Sequence, residues 1–119
     1  ELPGVMVDAR SMHQSLLNLL SNAIKATRRG GRVAIWVDRH GADHVAFSVT
    51  DTGGGMPKDL IDRLLRNAGP AGASYIAETG GAGLGLPITK SLIEVMGGRI
   101  EIESSLGIGT RASLIVPAA

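Results

Sequence analysis

The 119-residue sequence predicts an α+β domain. Its architecture is a two-layer α/β sandwich, a mostly antiparallel mixed sheet covered on one face by about three helices. Three observations carry this. Apolar residues recur at helical spacing through residues 11–28, two pairs of alternating apolar runs lie farther along, and the glycines gather at the junctions between runs.

The elements follow in order. Residues 5–7 (Val-Met-Val) read as a short strand, ended by Asp8, which caps a helix beginning near Ala9. Met12, Leu16, Leu19 or Leu20, Ala23 and Ile24 form the inward face of that helix. Val33, Ile35 and Val37 alternate, a turn follows at residues 40–43, and Val45, Phe47 and Val49 alternate again, which makes a hairpin. His40 and His44 flank its turn and are expected in solvent. Pro57 opens a second helix carrying Leu60, Ile61, Leu64 and Leu65. Residues 66–82 lack large apolar side chains and read as a loop, and loops that long are commonly functional. A third helix runs from about Gly85 to Met96 with Ile88, Leu92, Val95 and Met96 inward. Strands at 99–103 and 111–116 close the chain, joined by the connection at Leu106–Thr110.

Composition narrows the function classes. Cysteine is absent, so neither a disulfide framework nor a thiolate metal site is available. Twelve basic and eleven acidic residues leave a net charge of +1, which is no nucleic-acid footprint. No apolar run is long enough for a membrane span and no signal peptide opens the sequence, so a cytoplasmic, single-domain reading of residues 1–119 is expected. With one Trp, one Tyr and one Phe, the core rests on aliphatic side chains. The 17 glycines are about twice ordinary usage. Gly30-Gly31 and Gly97-Gly98 read as helix stops.

Two other glycine clusters and one helix exceed structural needs. Ser15, Asn18, Asn22 and Lys25 make a polar stripe on the first helix, about opposite its leucines. A solvent face commonly carries Glu and Lys, whereas this one offers amides and an ammonium. Amide oxygens suit Mg²⁺, and a lysine beside them meets phosphate oxygens. Asp51, at a strand end, runs into Gly53-Gly54-Gly55, where backbone can approach a flat ligand and the carboxylate can accept from an exocyclic amino group such as that of adenine. Gly81-Ala82-Gly83-Leu84-Gly85 opens the third helix, where first-turn N–H groups and the dipole favour an anion. It is neither a Rossmann fingerprint nor a Walker A loop, because no βαβ unit surrounds it and no Lys-Ser/Thr pair follows.

These motifs together resemble the catalytic, ATP-binding domain of sensor histidine kinases, in the superfamily that shares the Bergerat ATP fold with gyrase, Hsp90 and MutL. His13 to Lys25 is similar to the N box, Asp51 to Gly55 to the first glycine box, Gly81 to Leu86 to the second, and Gly107-Ile108-Gly109-Thr110 to the trailing glycine-threonine motif. The resemblance implies ATP and Mg²⁺ as cofactors. It makes Asn22 the metal ligand, with Asn18 beside the phosphates and Lys25 holding them. Asp51 accepts from the adenine amino group, with Gly55 beneath the ring and Thr110 supporting the Asp51–water contacts. Gly83, Leu84 and Gly85 donate backbone N–H groups to the phosphates, and Gly53, Met56, Gly81 and Leu86 complete the nucleotide contacts. Residues 66–82 become the ATP lid. Asn18 stands where ATP-hydrolysing relatives carry a glutamate base, so phosphoryl transfer is favoured over hydrolysis.

The same resemblance implies what lies outside the sequence: a dimerisation domain bearing the phosphoacceptor histidine, a response regulator that receives the phosphoryl group, and a homodimeric parent protein, membrane-anchored or not. His13 is not expected to be the acceptor. Residues 64–70 contain no F-box phenylalanine, and Ala26, Glu78 and Ala82 replace an aromatic, a cation and a hydroxyl residue found in relatives. These losses predict weak ATP binding, and in the limit a degenerate module acting as a signalling scaffold.

Overall fold

The computed structural model describes residues 4, 8–66 and 86–119. The expected strand at 5–7, the expected lid beyond Arg66 and the glycine loop Gly81–Gly85 lie outside the described residues. So do Glu78 and Ala82.

Helix α1 spans Ala9–Ala26. Asp8 caps it as the sequence predicts: its carboxylate accepts from the Arg10 N–H at 3.2 Å and from the Ser11 hydroxyl at 2.9 Å. The helix ends when Thr27 turns extended and its N–H and hydroxyl both reach the Ala23 carbonyl. Gly30-Gly31 is therefore not the helix stop. Gly30 belongs to the turn after it, closed by Gly31 N–H to the Arg28 carbonyl at 2.8 Å.

Strands β1 (Val33–His40) and β2 (His44–Asp51) form the hairpin, with His40 opposite His44. Helix α2 covers Lys58–Arg66 and helix α3 Leu86–Val95. Strands β3 (Arg99–Ser105) and β4 (Gly109–Pro117) form the second hairpin. The sheet order is β1-β2-β4-β3, and every pairing among the described residues is antiparallel. Between α3 and β3, Gly97 takes φ +80°. Its N–H reaches the Glu94 carbonyl and that of Gly98 reaches Ile93, the paired bonds of a glycine-terminated helix. This stop is where the sequence placed it.

The core lies between the helices and one sheet face: Met12, Leu19 and Ala23 of α1, Leu86 and Ile93 of α3, Val49 of β2, and Ala112, Leu114 and Val116 of β4. Phe47, Ile100 and Ile102 pack against it from the same face. The helices are rotated from the expected orientation. Ile24 is 62% exposed, while Ser15 is fully buried, so the polar stripe is a flank of α1 and not its outer face. On α3 the buried line is Leu86, Pro87, Thr89 and Ile93, whereas Ile88 (56%) and Val95 (88%) face solvent. The cause is packing of α1 against α3 as well as the sheet. That contact covers the Asn18 side of α1 and leaves Leu17 and Ile24 uncovered; Ile35 and Val37 of edge strand β1 are exposed as well.

On the sheet's other face the Ser48 and Ser113 hydroxyls bond at 2.8 Å, and Arg99 of β3 donates to Glu101 at 2.8 Å and to His40 of β1 at 3.1 Å. His40 is therefore half-buried and engaged, where solvent was expected. Among the described residues, no helix is long and apolar enough to cross a membrane.

Candidate functional site

At one end of the sheet the Asp51 loop, Gly109-Thr110 and the C-terminal end of α1 come together. The α1–β1 connection is laced to the end of β2: the Thr52 N–H donates to the Arg32 carbonyl at 3.1 Å, and the Arg32 N–H donates to the Thr52 hydroxyl at 2.8 Å. Just beyond, Gly53 sits so close to the C-terminal end of α1 that a Cβ there would strike the Ala26 carbonyl. Asp51 and its glycines are thus docked against the last turn of α1, which carries Lys25 and directly follows Asn22.

The Asp51 carboxylate is oriented locally. Its Oδ1 accepts from the Gly53 N–H at 2.8 Å, which leaves Oδ2 without a partner among the described residues. Across the strands Asp51 pairs with Thr110, so both side chains project from the same sheet face, the one the helices cover.

The loop after Asp51 is anchored on the β3–β4 turn. Gly55 has φ +74°, a conformation that disfavours side chains, and a Cβ at Gly55 would collide with the Ser105 carbonyl. The Gly107 N–H donates to the Gly54 carbonyl at 2.8 Å, and the Met56 N–H donates to the Ser104 hydroxyl at 2.7 Å. Ser104 also bonds the Gly109 carbonyl at 3.1 Å and the Thr110 hydroxyl at 2.8 Å. Met56 and Leu86 both pack on the core.

Along α1 the amides differ. Asn18 is engaged at both ends: its Nδ2 donates to the Thr89 hydroxyl of α3 at 3.2 Å, and its Oδ1 accepts from Gln14 at 3.0 Å. Asn22 is the opposite case. Its buried Nδ2 has no hydrogen-bond partner among the described residues, an arrangement costly unless something else approaches. Rotation of the amide would present Oδ1 there instead, so the donor set fits a hard cation such as Mg²⁺. Lys25 is exposed beside it. Gly81, Gly83, Leu84 and Gly85, expected around the phosphates, lie outside the described residues.

A hollow of about 290 Å³ opens at the same sheet end, lined in part by Thr50, Asp51, Glu103, Thr110 and Arg111. Thr50, Glu103 and Arg111 alternate onto the face away from the helices, so this hollow is not the space beside α1.

Two residues were not anticipated from sequence. Ser104 continues the inward phase of Ile100 and Ile102 on β3, and a hydroxyl in an apolar phase was the available signal. Thr89 is a fully buried polar residue in α3, and only its partner Asn18 explains it.

An antiparallel sheet under three helices, with an acid-ended central strand docked on an asparagine-bearing helix, is the architecture of the Bergerat ATP-binding fold. The profile of the "Histidine kinase-, DNA gyrase B-, and HSP90-like ATPase" family matches residues 7–119, and the chain belongs to that family. It is 41% identical over 120 residues to the non-motile and phage-resistance protein of Caulobacter vibrioides, covering 98% of this chain and 14% of that protein. It is 41% identical over 110 residues to the circadian input-output histidine kinase CikA of Synechococcus elongatus, covering 92% and 14%. Among solved structures, full-length ShkA in complex with AMPPNP superposes with a TM-score of 0.81 at 34% identity, over 99% of this chain and 24% of that one. The nucleotide-free catalytic domain of the histidine kinase ThkA gives 0.77 at 30% identity, over 94% and 69%. Within the family, then, this is an ATP-binding domain of the histidine-kinase catalytic type, and it spans about a seventh of the length of the two curated relatives.

Proposed function

We propose that this domain binds ATP between α1 and the Asp51–Met56 loop and transfers the γ-phosphoryl group to a histidine on a dimerisation domain, for relay to a response regulator. The observation that carries the reading is the docking of Asp51 and its glycines on the last turn of α1, which gathers a carboxylate acceptor, an orphaned amide and an ammonium at one end of the fold.

Each group has a task. Asp51 Oδ2 accepts from the adenine amino group, with Thr110 beside it and Gly53, Gly55 and Met56 along the base. Asn22 is the side chain suited to hold Mg²⁺, which when bound neutralises phosphate charge. Lys25 adds a cation against the phosphates. Asn18, held by Thr89, keeps α3 registered on α1, and Gly81, Gly83, Leu84, Gly85 and Leu86 are the residues assigned to the phosphates. In the transfer an imidazole nitrogen attacks the γ-phosphorus, the bond to the β,γ-bridging oxygen breaks, ADP leaves and the imidazole gives up its N–H proton. Such a step needs positioning and charge neutralisation, and Asn18 offers no base for water. The AMPPNP complex of ShkA supports nucleotide binding by this fold. A cytoplasmic location and a homodimeric parent protein accord with this chemistry. The intact Asn22, Lys25 and Asp51 favour an active kinase over a scaffold.

The test uses the full-length parent protein and γ-labelled ATP, with acid-labile phosphate as the readout. Asn22→Ala and Asp51→Ala should each abolish the label, and label that persists in both variants removes the site assignment.

A further inference from the structure

The hydroxyl of Ser104 makes three contacts, and its hydrogen bookkeeping has a consequence for the ligand. A serine hydroxyl has one hydrogen to give and two lone pairs to receive. The Met56 N–H occupies one lone pair, and the single hydrogen goes to the Gly109 carbonyl. The 2.8 Å contact with Thr110 fits either hydroxyl as donor, and with the Ser104 hydrogen given to Gly109 the arrangement that satisfies all three contacts has Thr110 donating to Ser104. With its hydrogen spent, Thr110 Oγ1 has only lone pairs to offer elsewhere.

Thr110 is the cross-strand partner of Asp51 and shares its face. Asp51 Oδ2 is likewise an acceptor, since Oδ1 is taken by Gly53. This sheet end therefore presents two acceptors side by side. A purine with an amino group at position 6 brings two hydrogens to such a pair. A 6-oxo purine brings a carbonyl oxygen to that position, a third acceptor whose nearest hydrogen is the one on N1, so lone pairs stand opposed at position 6, a mismatch by which polar sites discriminate.

We propose that Ser104 is a positioning residue that fixes the polarity of the Thr110 hydroxyl and thereby sharpens discrimination between 6-amino and 6-oxo purine nucleotides. The inference rests on the reading that the base sits at Asp51. Without Ser104 the Thr110 hydroxyl rotates freely and donates to a 6-oxo group, so the barrier against the wrong base falls.

The experiment measures dissociation constants for ATP and for its 6-oxo analogue inosine triphosphate, with Mg²⁺, by calorimetry on the full chain. Wild-type protein should prefer ATP. Ser104→Ala should lower the ATP-to-inosine-triphosphate preference at least fivefold, and Ser104→Thr, which restores a hydroxyl, should recover most of it. In a Thr110→Val background, Ser104→Ala should change the preference less than twofold, because the residue it acts through is gone. Equal weakening of both nucleotides by Ser104→Ala would mark a merely structural role and overturn the proposal. So would an undiminished effect in the Thr110→Val background. Should Ser104→Ala fail to fold by circular dichroism, Thr110→Val alone decides: an unchanged preference overturns the proposal. Asp51→Asn runs in parallel. If it leaves ATP affinity intact, the base lies elsewhere and both readings fall. If it weakens ATP while Ser104→Ala leaves the preference alone, only the role of Ser104 falls.

Discussion

Replacing Gly55 by alanine tests whether the loop after Asp51 is held by backbone packing. The added Cβ would lie 2.7 Å from the Ser105 carbonyl carbon and 3.1 Å from Leu106 Cα, and backbone cannot rotate away as a side chain end could. A positive φ costs a non-glycine residue about 1–2 kcal/mol. As the loop lifts, the Gly107–Gly54 and Met56–Ser104 bonds are lost, at about 0.5–1.5 kcal/mol each. Gly55→Ala should therefore destabilise the domain by about 2–5 kcal/mol, a large part of a typical total of about 5–15 kcal/mol. Urea unfolding followed by far-UV circular dichroism measures it, with Gly54→Ala as the control. A Cβ at Gly54 meets nothing within 4 Å, so that variant should stay within about 0.5 kcal/mol of wild type. A Gly55→Ala protein as stable as wild type, or a Gly54→Ala protein as damaged as Gly55→Ala, would refute the packing argument.

Two further outcomes are expected. Thr89→Val removes the acceptor for the Asn18 amide without changing side-chain shape, and should cost about 1–2 kcal/mol in the same unfolding assay, with Thr89→Ser recovering most of it. Calorimetric titration with an ATP analogue and Mg²⁺ should give a dissociation constant in the micromolar range or weaker, because Ala26, Glu78, Ala82 and the missing F-box phenylalanine remove donors and packing surface; a submicromolar value contradicts this.

Much of the fold was legible because local rules decided it. Asp8 caps α1, Gly97 ends α3, and alternating apolar residues mark all four described strands. Helix rotation was not legible. Spacing shows that apolar residues share one side of a helix, but which flank meets a neighbouring helix depends on where that helix lies. Ile24, Ile88 and Val95 therefore went to solvent, and Ser15 and Thr89 went inside. At the candidate site, Asp51, Asn22 and Lys25 stand out in the sequence because their residue types state their chemistry, and the structure docks the loop after Asp51 on the end of α1. Ser104 and Thr89 were hidden because their partners Met56 and Asn18 lie 48 and 71 positions away, and no local pattern reports a contact at that distance.

The bond from Gly107 to Gly54 joins two connections far apart in sequence, and the Met56–Ser104 bond reinforces it. Both amides are protected by partners within the chain, so the loop after Asp51 is preassembled as an extension of the sheet. Amide hydrogen exchange at Met56 and Gly107 should then be as slow as in the core strands before any nucleotide arrives. With the base bound here as proposed, the ordering cost of binding is spared on this wall.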